Sequence, residues 1–149
     1  MIGDLAEHPR FLPLLVDAFF TEWPEWCSRV GRTTVEGIFV PAHPLPVILV
    51  AFDGDALLGT IALRPYFAEE PMRQTPWVRQ LLVLPPFRGR GVDRALIAAV
   101  TARARDLGFE YLHAATNRIE RLLVHRGWEV YDRVERDGER FAWMRRRIG

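Results

Sequence analysis

The sequence predicts an α/β (α+β) fold in which helices flank a mixed, mainly antiparallel sheet. Three observations carry that expectation. The first third of the chain spaces its apolar residues as a helix does. Two Asp-Gly turns, at 53–54 and 137–138, each separate segments of strand length. Between them a strand, a Gly-rich turn and a long helix follow in immediate succession over 77–107. Strands and helices do not alternate throughout, which excludes a doubly wound sheet.

The elements follow in order. Phe11, Leu12, Leu15, Val16 and Phe19 fall on one helical face, with Pro9 near the start. Pro24 interrupts that pattern, and a second short helix is expected after it. Val47–Phe52 and Ala56–Leu63 are apolar runs joined by Asp53-Gly54-Asp55, the signature of a β-hairpin. Residues 64–76 hold three prolines and the adjacent Glu69 and Glu70, and read as a loop. Trp77–Leu84 is a third strand, ended by Pro85-Pro86. From Val92 the period is helical: Val92, Leu96, Ala99, Val100 and Leu107 share a face, and Gly108 stops the helix. Tyr111–Ala115 is a fourth strand and Arg118–His125 a short helix. A final hairpin pairs residues 128–135 with 140–147.

Composition bounds the function. A length of 149 residues is expected to form one domain, and 49% hydrophobic against 26% charged residues supplies a core. Twenty basic residues oppose nineteen acidic ones, so a broad nucleic-acid-binding face is not expected. The Arg145–Arg147 run reads as a solvated strand end. The single cysteine, Cys27, forms no intrachain disulfide and suggests a reducing, cytoplasmic setting. The first residues carry acids and no apolar run, so no signal peptide is expected. No segment has the roughly 20 apolar residues of a membrane span. The four histidines are scattered without metal-ligand spacing, and no metal is expected.

Chemistry concentrates in Arg88-Gly89-Arg90-Gly91-Val92-Asp93. Glycine lets backbone approach a ligand closely. The first turn of a helix leaves N–H groups without partners and carries the positive end of the helix dipole. Together they suit a phosphate or diphosphate, and Arg88, Arg90 and Arg94 add positive charge. A plain Gly-containing turn capping a helix is the structural alternative. The spacing is neither a P-loop nor a dinucleotide fingerprint.

The run Leu81 to Ile97, LLVLPPFRGRGVDRALI, resembles the acetyl-CoA-binding motif of the GNAT N-acetyltransferases, in the small single-domain bacterial form. Leu81, Val83, Pro85, Arg88 and Gly91 match its strand–turn–helix pattern, and the likeness continues through Ala104, Gly108, Phe109 and Leu112 to Gly127-Trp128. The resemblance implies two splayed central strands with the cofactor's pantetheine arm between them. It implies acetyl-CoA as cosubstrate, paired along Leu82, Val83 and Leu84. The cofactor's diphosphate would rest on Arg88, Gly89, Arg90, Gly91, Val92, Asp93 and Arg94, and a backbone N–H at Val83 would polarise the thioester carbonyl. An amine of a small molecule or peptide would attack directly.

Three positions depart from the family pattern. Asp93 stands where Gly or Ala is usual, Leu123 where a tyrosine is common, and Arg79-Gln80 where a glutamate is common. Candidates for the proton acceptor are therefore His113, Glu69 and Glu70. Tyr111 and Tyr131 are candidates for the proton donor. Trp23, Trp26, Phe67 and Trp77 are candidate walls of an acceptor pocket, with Glu22, Glu25, Glu69 and Glu70 at its mouth; the structural alternative is that the tryptophans pack the core and the glutamates face water. The alternative function is an acyl-CoA-binding module without turnover. No nucleic-acid or membrane partner is expected, and a homodimer is compatible with a free sheet edge.

Overall fold

The computed structural model describes residues 1–65 and 75–149. These divide into two compact units, residues 1–62 with 80–100, and residues 63–79 with 101–149.

In the first unit, β1 (Ile2–Asp4) pairs antiparallel with β2 (Val47–Asp53), in the register Ile2↔Ala51. Three helices separate them: α1 (Leu12–Glu22), α2 (Pro24–Val30) and α3 (Arg32–Gly37). α1 buries Leu15, Val16 and Phe19, the apolar face read from its spacing. Trp23 ends α1 in a non-helical conformation, and Pro24 opens α2 at its first position, where its missing N–H costs nothing. β2 is buried along almost its whole length, consistent with its unbroken apolar run. A turn at Gly54, φ 59°, leads into β3 (Ala56–Arg64). The core gathers Phe11, Phe19, Val35, Phe39, Ile48 and Phe52 around Cys27, which is 0% exposed. Each such side chain contributes about 1.5–3 kcal/mol by leaving water.

β4 (Trp77–Val83) runs from the second unit into the first, and α4 (Val92–Asp106) from the first into the second. α4 closes on Gly108 at φ 90°, and the Phe109 N–H returns to the Ala104 carbonyl at 3.1 Å. The second unit also holds β5 (Tyr111–Thr116), α5 (Glu120–His125), β6 (Glu129–Arg136) and β7 (Glu139–Arg147). Asp137 and Gly138 both take positive φ, 51° and 79°, as a two-residue hairpin between twisted strands requires. β7 lies between β5 and β6, antiparallel to both, giving the strand order β1-β2-β3-β4-β5-β7-β6. β4 and β5 run parallel and meet at the pair Trp77↔His113.

Candidate functional site

The site grows from the end of β4. Leu84 donates its N–H to the Leu58 carbonyl on β3 at 2.9 Å. Neighbouring amides in a strand face opposite edges, so the Val83 N–H is directed away from β3. Leu82 is buried against the β3 backbone, where Gly59 leaves room: a Cβ there would stand 2.7 Å from the Leu82 carbonyl oxygen. Gln80, mid-strand, takes φ 54°, a left-handed conformation that costs a non-glycine residue roughly 1 kcal/mol or more and breaks the strand's regular extension.

Pro85–Phe87 form a single tight turn, and the Phe87 N–H returns to the Leu84 carbonyl at 2.9 Å. Gly89 and Gly91 follow at φ 78° and 80°, conformations that favour glycine. α4 then starts at Val92, and its first helical bond runs from Ala95 N–H to the Gly91 carbonyl at 3.1 Å. The amides of Val92, Asp93 and Arg94 precede that bond and therefore lie in the first turn, where helical partners are missing. This turn is exposed. Arg90 rests its guanidinium 5.8 Å from the Phe87 ring centre. Arg88 does more: its Nε donates to the Val83 carbonyl at 2.9 Å and its Nη2 to Glu22 Oε2 at 3.2 Å. One guanidinium thus joins the end of β4, the turn and the last residue of α1. No local sequence signal predicts that bond.

His113 belongs to the second unit. It is 4% exposed, its ring lies 5.4 Å from that of Trp77, and its Nδ1 is 3.2 Å from the Tyr131 hydroxyl. Burial, with the nearby Arg145 charge, pushes its pKa down to about 4, so the ring is neutral at pH 7. Burial likewise pushes Tyr131 up to about 12. Trp77 is fully buried, edge-on to Trp143. It packs the core, the structural alternative to a place on the wall of an open pocket. Trp23 is partly exposed against Phe19, and Trp26 is half-buried. Leu123 is half-buried on α5 and accepts a bond from the Trp128 N–H at 3.0 Å. Phe67, Glu69 and Glu70 lie outside the described residues. Among the described residues, no three His, Cys, Asp or Glu side chains gather as a metal site.

The Acetyltransferase (GNAT) family model matches residues 9–128. The chain belongs to the GNAT acetyltransferase family. This GNAT chain is 26% identical over 137 residues to the mouse (Mus musculus) N-alpha-acetyltransferase 80, a match covering 85% of the chain. It spans about two fifths of that relative's length, 40%. In fold it is similar to an aminoglycoside 6'-N-acetyltransferase solved with coenzyme A, at TM-score 0.79 and 15% identity over 99% and 97% of the two chains. The aminoglycoside 6'-N-acetyltransferase from Enterococcus faecium is similar at TM-score 0.78 and 15% identity, over the same shares. The matched residues include the Gly-rich start of α4, and coenzyme A is present in one solved protein of similar fold.

Proposed function

We propose that the chain transfers an acetyl group from acetyl-CoA to a primary amine of a small molecule or peptide, by direct attack. One observation carries this reading. The Val83 N–H is turned off the β3 ladder just before a turn whose glycines open the N-terminus of a 15-residue helix. Acetyl-CoA offers a complementary pair of groups: a diphosphate for the helix start, and a thioester carbonyl for a strand amide. The diphosphate would take the amides of Val92, Asp93 and Arg94, with Arg90 and Arg94 beside it. The Val83 N–H would stabilise the oxyanion that forms when the amine attacks. The C–S bond then breaks, CoA leaves as a thiolate, and the proton shed by the attacking nitrogen passes to solvent.

The acceptor must attack as the neutral amine. Its conjugate acid has a pKa of about 10, whereas His113 titrates near 4. Proton transfer from the ammonium to His113 would run uphill by about 8 kcal/mol. We therefore assign His113 a positioning role, holding β5 against Trp77, and draw the amine from its deprotonated fraction in solution. Glu22, fixed by Arg88, is a carboxylate one guanidinium away from the Val83 carbonyl. It would attract a cationic acceptor to that edge.

The test is a binding measurement followed by a turnover measurement. Calorimetry should detect acetyl-CoA and CoA, and CoA release should appear with some member of a panel of primary amines. The sequence contains no lysine, so no lysine of the chain competes as acceptor. Binding without release on any amine would favour the acyl-CoA-binding module. Absence of binding would overturn both readings.

A further inference from the structure

The second unit contains a cavity of about 570 Å³ built wholly from residues 116–142. Arg118, Arg121, Arg133 and Arg140 line it, together with one carboxylate, Glu120. Arg133 grips Glu120 through two bonds, at 2.8 and 3.0 Å. Those bonds hold the Glu120 carboxyl below its ordinary range, so the pair is ionised and mutually satisfied. The other three guanidiniums are different. Arg121 adds its charge beside the same Glu120, and among the described residues neither Arg118 nor Arg140 forms an ion pair with a carboxylate. Elsewhere in the same unit Arg145 pairs with Glu129 and Arg147 with Glu110, while Arg126 and Arg146 stand apart, outside this concavity. Collecting like charges around one concavity raises the electrostatic energy of the empty protein, and a bound anion would relieve it.

The remaining lining is apolar. Phe141 and Ala142 of β7 line the cavity beside the charges. Ile119 and Leu122 add aliphatic surface and are 46% and 48% exposed. The first arginine arrives on the β5–α5 connection, the second on α5, and the last two on facing strands of the β6–β7 hairpin. Three guanidiniums besides the one held by Glu120 thus line one partly apolar hollow, each able to offer planar donors to an anion.

We propose that this cavity is an anion site for a ligand carrying a carboxylate or phosphate on a small apolar body. Arg118 and Arg140 take the oxyanion, and the body lies on Phe141 and Ile119. The proposal does not depend on acetyl transfer, and it stands or falls by binding alone. The anion is an acidic group on a ligand other than the cofactor, whose diphosphate is assigned above to the start of α4.

The experiment is a titration of the full chain followed through its backbone amide NMR signals. The probes are phenyl phosphate, benzoate and, as the matched cation, benzylamine. Phenyl phosphate and benzoate should shift the amides of residues 116–122 and 140–142, and benzylamine should not. The double variant Arg118→Gln/Arg140→Gln should bind phenyl phosphate about tenfold more weakly, while Arg118→Lys/Arg140→Lys retains part of the affinity. Raising the salt concentration should weaken binding to the native chain, a readout that needs no variant. Persistence of bound phenyl phosphate in the presence of acetyl-CoA supports the site; displacement by acetyl-CoA gives the cavity to the cofactor and overturns it as a separate site. Equal shifts from benzylamine, or no shift in these amides with either anion, overturn it.

Discussion

The guanidinium of Arg88 donates to the Glu22 carboxylate at 3.2 Å across 66 residues of sequence. The same side chain holds the Val83 carbonyl at 2.9 Å, so the end of α1 is tied to the strand edge that carries the Val83 amide. Both members of the pair are substantially exposed, at 50% and 37% of their side chains. Such a pair contributes at most about 1 kcal/mol to stability.

Arg88→Ala is therefore expected to leave the melting temperature nearly unchanged while weakening CoA binding severalfold, because the turn and the end of β4 lose the side chain that ties them together. Calorimetry with CoA and thermal unfolding separate the two effects. Glu22→Gln should raise KM for a cationic amine and leave KM for acetyl-CoA alone. A variant of Arg88 that binds CoA like the native chain would remove Arg88 from the site.

Gly91 and Gly31 form a matched pair of controls. Their φ values are 80° and 86°, and a Cβ at either would meet nothing within 4 Å. Alanine at each should cost roughly 1–3 kcal/mol through backbone strain, the more so at Gly31, whose ψ of 159° lies in a region that only glycine populates. Only Gly91→Ala should also weaken CoA binding, because only Gly91 precedes α4. Equal CoA affinity in the two variants would sever the turn from the cofactor.

Val83→Pro removes one N–H. That amide faces away from β3, so no ladder bond is lost and the strand tolerates the ring. The expected outcome is a fall in kcat of about a hundredfold or more, the usual effect of deleting an oxyanion donor. CoA affinity should change much less. Intact kcat in a folded Val83→Pro protein would place the oxyanion donor elsewhere.

The buried His113 makes stability depend on pH. Its pKa is about 4 in the folded protein, against the ordinary imidazole value of 6.5 that it regains on unfolding. The unfolded chain therefore binds the proton more tightly. The stabilisation is fully present above pH 6.5 and is lost as pH falls toward 4. The total is roughly 3 kcal/mol. Urea unfolding at about pH 7 and about pH 4.5, on either side of the ordinary imidazole range, measures it, and His113→Phe should flatten the difference. In the same range log kcat/KM should show no inflection from His113, rising instead with pH toward the pKa of the acceptor amine.

The elements that the sequence makes legible are those encoded within a few residues. α4 announces itself through its apolar period and Gly108, and both hairpins through Asp-Gly turns. The turn at 88–93 is readable because glycine marks positive φ. Elements held by distant partners are silent. β1 has three residues, too few for a period, and exists by pairing with β2. α3 reads Arg-Thr-Thr-Val-Glu-Gly, a weak helix former, and Val35 anchors it in the core. The insertion of β7 between β5 and β6 has no local signature. Gln80 carries no mark of its positive φ. The sequence offers no hint that Glu22 answers Arg88 or that Tyr131 answers His113. The arginine-lined cavity is invisible for the same reason, since its residues converge only when the hairpin folds beside α5.

Cys27 is fully buried in the first unit's core, and burial raises its pKa above the ordinary thiol value. It is the only sulfhydryl of the chain, and in the native state it offers neither access nor thiolate to a disulfide reagent. A colorimetric thiol reagent added during turnover would therefore report released CoA against a blank of almost zero. The same reagent, with no cofactor present, would colour only when the core opens. One chromophore could thus time the chemistry in one cuvette and the loss of the fold in the next.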